Sequence, residues 1–143
     1  MKGGLAMEWK PEYAIGIKMI DEQHQKLFEI GHEAEELLSL PDKVDKYDEI
    51  MKIIQELKDY VNFHFAEEEK IIKEIEYKKF FTHCIHHHDF VIKLRECKLE
   101  DIDEHQHEQV QALLDLVNHW LVGHVTYDDV LWAAVYKEKK GLA

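Results

Sequence analysis

The chain has 143 residues, which suffices for one hydrophobic core and is too short for two. Its 30 Asp and Glu outnumber 18 Lys and Arg, a formal net charge of −12, so its surface should repel phosphate backbones and anionic lipid heads; neither nucleic acid nor membrane is an expected partner. No stretch approaches the roughly 18 consecutive apolar residues of a spanning helix, and the N-terminus lacks an apolar signal core, so we expect one cytoplasmic domain over residues 1–143 with its core at about 9–137.

Few prolines and glycines interrupt the chain, and apolar residues recur at alternating steps of three and four, which predicts an all-α fold. The first helical seam runs Ile20, His24, Leu27, Gly31, Ala34, Leu38, with Asp21 as the expected N-cap. Pro41 and Asp42 mark a turn. The second seam, Ile50, Ile54, Leu57, Val61, His64, Glu68, Ile71, Ile75, puts a histidine and a glutamate where core residues belong. The third runs Phe80, His83, His87, Phe90, Leu94, Cys97, before an acidic, turn-like stretch from Glu100 to Glu104. The fourth runs Val110, Leu113, Val117, Trp120, His124 and weakens at Gly123, Val125 and Thr126; a short last helix is expected from Tyr127 to Lys137. Met1 to Met7 and Lys139 to Ala143 read as loose tails. Cys84 and Cys97 fall on one helix about 20 Å apart, so they read as free thiols of a reducing compartment.

Short connections favour an up-down-up-down four-helix bundle, in which sequence neighbours run antiparallel. His24 then lies near the start of helix one, His64 and Glu68 toward the end of helix two, His83 and His87 near the start of helix three, and His124 at the end of helix four. Those places share one end of the bundle. His64 with Glu68 and His83 with His87 are i, i+4 pairs that project from one face toward a common centre. Asp129 lies five residues beyond His124, about 140° away round an ideal helix, and joins the others only if the helix changes course near Gly123. Five imidazoles and two carboxylates exceed what one tetrahedral zinc takes and suit two ions bridged by carboxylates. Without thiolate the set favours iron or manganese, with zinc possible.

Other arrangements have less support. Ferritin-like bundles use Glu-x-x-His from two helices, but Glu29 and His32 fall off the first seam while Glu104 and His107 open helix four at the opposite end from His24, so both read as surface pairs. His32, His86, His88, His105, His107 and His119 are expected in solvent. Ser39 is the sole serine, and Cys84 is rotated about 100° from His83 on a helix, so no nucleophile is paired with a base.

The segments Trp9 with Ile15-Gly16-Ile17 and Ile20-Asp21-Glu22-Gln23-His24, His64-Phe65 with Glu67-Glu68, His83 and His87 with Phe90, and Trp120-Leu121 with His124 and Asp129 together resemble the hemerythrin family, and more closely its stand-alone bacterial members. The resemblance covers about Trp9 to Asp129. It implies an oxo- or hydroxo-bridged pair of non-heme irons, with His83, His87 and His124 on one ion, His24 and His64 on the other, and Glu68 and Asp129 bridging both. It further implies that dioxygen binds reversibly at the open position of the two-histidine iron as a hydroperoxide. The protein would then be an oxygen carrier, store or delivery protein rather than an enzyme, serving some oxygen-consuming client. A dry wall should shield that position, with Leu27, Phe28, Phe65, Leu121 and Val125 as candidates. The rival within the resemblance is a di-iron enzyme reducing peroxide, nitric oxide or dioxygen with an outside electron donor, which Thr126 or Tyr127 pointing inward would favour. A zinc site that only stabilises the bundle is a third reading. Two departures from the family pattern stand out: no proline follows Tyr77, and Asp128 competes with Asp129 for the bridging position, the five-residue spacing favouring Asp129.

Overall fold

The computed structural model describes residues 7–41, 46–96 and 107–142, together with the backbone of 102–106. Asp42, Cys97, Glu100 and the tail before Met7 lie outside the described residues, as do the side chains of Glu104 and His105. The helices are α1 (Lys18–Leu38), α2 (Tyr47–Glu74), α3 (Phe80–Glu96), α4 (Ile102–Gly123) and α5 (Asp129–Lys139). A 3₁₀ turn (Pro11–Tyr13) precedes them and a π-helical segment (His124–Asp128) joins α4 to α5. α1 and α3 each pack on α2 and α4, which closes a four-helix ring.

α1 begins three residues before Asp21, which corrects the expected N-cap. Ile17 holds the cap position in an extended conformation, and Asp21, one turn inside, reaches back: its carboxylate accepts the Ile15 N–H at 2.8 Å and the Gly16 N–H at 3.1 Å. Gly16 sits at φ 87°, a left-handed conformation that turns its amide toward that carboxylate. The expected loose tail also ends earlier than its sequence suggests. Met7 is wholly buried, its N–H donates to Glu35 Oε1 at 2.9 Å, and its thioether fills the notch at Gly31, where a Cβ would lie 2.3 Å from the sulfur. The glycine on the first seam is therefore a seat for the incoming chain rather than a gap in the core.

At the far end, the ammonium group of buried Lys46 donates to the Leu40 carbonyl at 2.8 Å and approaches that of Leu38, occupying acceptors that the end of α1 leaves free. α2 ends in a Schellman turn without glycine: Glu76 takes φ 56°, the Glu76 N–H donates to Lys73 O, and the Tyr77 N–H donates to Ile72 O. This turn, rather than a proline after Tyr77, delivers the chain to α3. Ile72 is buried where Ile71 was expected, and Ile71 is half-buried beside it. The stretch expected to be turn-like up to Glu104 is helical from Ile102.

The core is in two parts. The larger cluster includes Leu27, Phe28, Leu57, Val61, Phe65, Phe90, Leu94, Val117, Leu121 and Val125, and the smaller includes Ile15, Ile17, Ile20, Ile72, Ile75, Trp132 and Ala133. Along α1 His24 falls between Ile20 and Leu27, along α2 Glu68 between Phe65 and Ile72, and in the last helical stretch Asp129 between Val125 and Trp132. A polar layer thus lies across the bundle between two apolar plugs.

Candidate metal centre

All seven residues read from the seams meet in that layer, each less than a twentieth exposed. Glu68 is the hub. Its Oε1 lies 2.8 Å from His83 Nε2, 2.9 Å from His87 Nε2 and 3.6 Å from His124 Nε2, while Oε2 lies 3.3 Å from His64 Nε2 and 3.7 Å from His24 Nε2. Asp129 spans the same two groups: Oδ1 is 3.1 Å from His124 and 3.3 Å from His83, and Oδ2 is 3.2 Å from His24. Asp128, the alternative, is partly exposed and, of the seven, meets only His124, at its outer nitrogen.

The π-helical segment explains how Asp129 arrives. Its N–H donates to the carbonyl of His124, five residues back, so the backbone gains one residue per turn over an α-helix and brings His124 and Asp129 to one side. The last helix consequently starts at Asp129 and runs to Lys139, two residues later at each end than expected.

A set of partners that the seams do not reveal holds these side chains in place. His64 Nδ1 donates to Gln23 Oε1 at 2.7 Å, His87 Nδ1 to Glu69 Oε2 at 2.8 Å and His124 Nδ1 to Asp128 Oδ2 at 3.0 Å. The buried Trp132 indole donates to Asp129 Oδ1 at 3.0 Å. An Nδ1 that donates outward leaves the Nε2 lone pair directed at the centre. His86, expected in solvent, is half-buried and places Nδ1 3.1 Å from Asp128 Oδ2. His32 is half-buried and pairs with Glu36, and His88, His107 and His119 are exposed.

The proposed wall residues Leu27, Phe28, Phe65, Leu121 and Val125 are all buried in the larger cluster. Phe65 lies flat on the His87 ring, with centroids 3.8 Å apart and planes 2° from parallel. Phe28 stands against Trp9 and Tyr13. Thr126 and Tyr127 face solvent, and the Thr126 hydroxyl donates to Val122 O.

The donor set fits metal ions. His87 Nε2 and His124 Nε2 stand 3.0 Å apart, and the carboxylate oxygens nearest the imidazoles at similar distances. An octahedral ion with bonds of about 2.1 Å sets adjacent donors about 3 Å apart. His24 Nε2, Glu68 Oε2 and Asp129 Oδ2 are buried without a hydrogen-bond partner among the described residues, a penalty of roughly 1–3 kcal/mol each that a cation at the centre would remove. Two donor groups share Glu68: one with His83, His87 and His124, the other with His24 and His64.

Protons stand in for metal ions when these are absent. Burial alone would lower the His24 imidazole, but the Asp129 and Glu68 carboxylates raise it to about 9. His124 is likewise raised against its burial, chiefly by Asp129, and His83 by Asp129 and Glu68. His64 is lowered by burial, with Glu68 opposing. Burial would raise Glu68, yet the surrounding imidazoles, His124 foremost, hold it well below the carboxylate range. A group whose folded value is raised stabilises the fold below its unfolded value of about 6.5, and that stability is lost as the pH rises through the folded value. The metal-free chain should therefore lose stability between pH 7 and pH 9.5, its urea midpoint falling, as His24 titrates near 9. The metal-loaded chain should hold a level midpoint over that interval, because ions replace those protons.

An all-helical bundle with a buried layer of histidines and carboxylates defines a cation-binding protein of the helical-bundle class. Residues 15–134 match the family model described as the hemerythrin HHE cation binding domain. The chain is 46% identical over 121 residues to a bacteriohemerythrin of Clostridium acetobutylicum, covering 85% of this chain and 94% of that protein. Bacteriohemerythrins of Stenotrophomonas maltophilia (28% identical, 87% of this chain and 78% of theirs) and Campylobacter jejuni (27%, 85% and 88%) are more distant. No solved structure matches at a significant level. The chain belongs to the hemerythrin family, and its cofactor is that family's pair of non-heme irons. No helix among the described residues is long and apolar enough to cross a membrane.

Proposed function

We propose that the chain carries dioxygen reversibly on its iron pair, as a store or delivery protein and not as an enzyme. In this reading His83, His87 and His124 hold one iron, His24 and His64 hold the other, and Glu68 and Asp129 join them. The observation that carries it is the unequal donor count about Glu68, three histidines on one side against two on the other, which leaves the second position short of a protein ligand inside a buried layer. The pair supplies, when bound, two electrons that can be lent to dioxygen and recovered.

The protein's own part is shelter. Leu27, Phe65, Leu121 and Val125 offer an apolar lining with no proton donor, and the hydroxyl residues Thr82, Thr126 and Tyr127, the nearest in sequence to the site, are exposed. That favours carriage over peroxide, nitric oxide or dioxygen reduction, which needs protons as well as an electron donor. The match over 15–134 suits one domain spanning 1–143, and the free thiol of Cys84, pushed up to about 11 by burial and by Glu69, suits the cytoplasm.

The test is to expose the anaerobic ferrous protein to air and then to vacuum. A visible charge-transfer band that appears, vanishes and returns over repeated cycles is the expected result. One-way oxidation with turnover when reductant is added would establish the enzyme instead, and native protein holding one zinc and no iron would establish a structural site.

A further inference from the structure

The site imidazoles are backed unequally. On the three-histidine side, His87 and His124 donate to carboxylates, those of Glu69 and Asp128. On the two-histidine side, His64 donates to the neutral amide oxygen of Gln23, and the buried Nδ1 of His24 has no partner among the described residues. Asp128 does not hang free. The oxygen that faces His124 Nδ1 at 3.0 Å also faces His86 Nδ1 at 3.1 Å, so one carboxylate ties α3 to the π-helical segment. His86 immediately precedes His87 on α3, and its side chain is 44% exposed.

We propose that Asp128, held in place by His86, is a positioning residue for His124, and that this charged backing makes the three-histidine position the last to lose its iron and the first to give up an electron. The inference rests on the di-iron reading above. A carboxylate behind Nδ1 fixes the ring and its tautomer and raises the donor strength of Nε2. A negative charge so close also favours the higher charge of ferric over ferrous iron. Gln23 gives orientation without charge, so the two-histidine position gains only the first effect.

Removal of iron from the loaded full-length protein by graded chelator, with iron counted per chain, tests this beside a redox titration of the same samples. Wild type should release its two irons in separate steps. Asp128→Ala should weaken the tighter step by about 10–100-fold, merging the two, and raise the potential. Asp128→Asn keeps an acceptor for His124 and loses the charge, so it should raise the potential and weaken the tighter step, by less than Asp128→Ala does. His86→Ala should shift both readouts in the direction of Asp128→Ala by a smaller amount, and His86→Asn, whose amide nitrogen can stand where Nδ1 stands, should restore wild-type values. Release and potential unchanged in Asp128→Ala and Asp128→Asn would overturn the proposal, as would a His86→Asn protein no better than His86→Ala. A wild type that cannot hold two irons would overturn the di-iron reading itself, whereas two irons with indifferent variants would overturn only this inference.

Discussion

Glu68→Gln should leave the protein unable to retain either iron through gel filtration, with affinity reduced by more than about 100-fold at both positions. Among the described residues the carboxylate is the one charged group within 3.7 Å of all five imidazoles, each oxygen serving a different set. An amide keeps the shape and loses half the function: its oxygen can still accept or ligate, while its NH₂ group has no lone pair to offer and points two hydrogens at whatever stands opposite. One position therefore loses a donor and both lose a negative charge. The metal-free form should suffer as well. Glu68 is the counter-ion of the raised imidazoles, and removing one partner from a buried ionic cluster costs about 3–5 kcal/mol, readable as a lower urea midpoint in chelator at pH 7. Two irons retained per chain in this variant would refute the placement of Glu68 between the ions.

Phe65→Ala should destabilise the protein by about 3–5 kcal/mol and shorten its working life in air. The buried ring lies flat on His87, meets Phe90 and Trp120 at 6.3 and 5.5 Å, and stands 6.0 Å from His64. It is therefore a core residue, and under the proposed oxygen-carrying reading it is also part of the apolar wall beside the site. Truncation opens a cavity next to polar groups, which water enters readily when such groups line it. Urea unfolding measures the first effect. The second appears as fewer oxygenation cycles before the ferrous form is lost for good. A variant that unfolds earlier yet cycles as long as wild type would assign Phe65 to the core alone and move the wall to Leu121 and Val125.

What could be read from sequence, and what could not, divides along a geometric line. His64 and Glu68 betrayed themselves by occupying core positions of an unbroken apolar seam, and antiparallel packing then put four helix ends at one depth. Four of the partners that orient these side chains were invisible to that logic because they occupy positions beside a site residue: Gln23 beside His24, Glu69 beside Glu68, Asp128 beside Asp129, and His86 beside His87. A neighbouring residue is turned about 100° from the seam, which reads as solvent, yet that is the direction in which an inward-facing imidazole offers its outer nitrogen. A polar residue adjacent to His24, Glu68, His87 and Asp129 was the available signal. Met7 and the Asp21 strap were missed for a different reason. Both depend on where an irregular segment folds back, and periodicity carries no information there.

The π-helical segment carries a consequence for how such a protein varies. One residue removed between His124 and Asp129 would leave a smoother helix and almost unchanged composition, yet it would swing Asp129, Trp132 and everything after them by about 100° and draw them back about 1.5 Å. The count of groups facing the centre is thus written partly in chain length rather than in residue type. A survey of point substitutions, however dense, would pass over it, while a single-codon deletion would expose it at once.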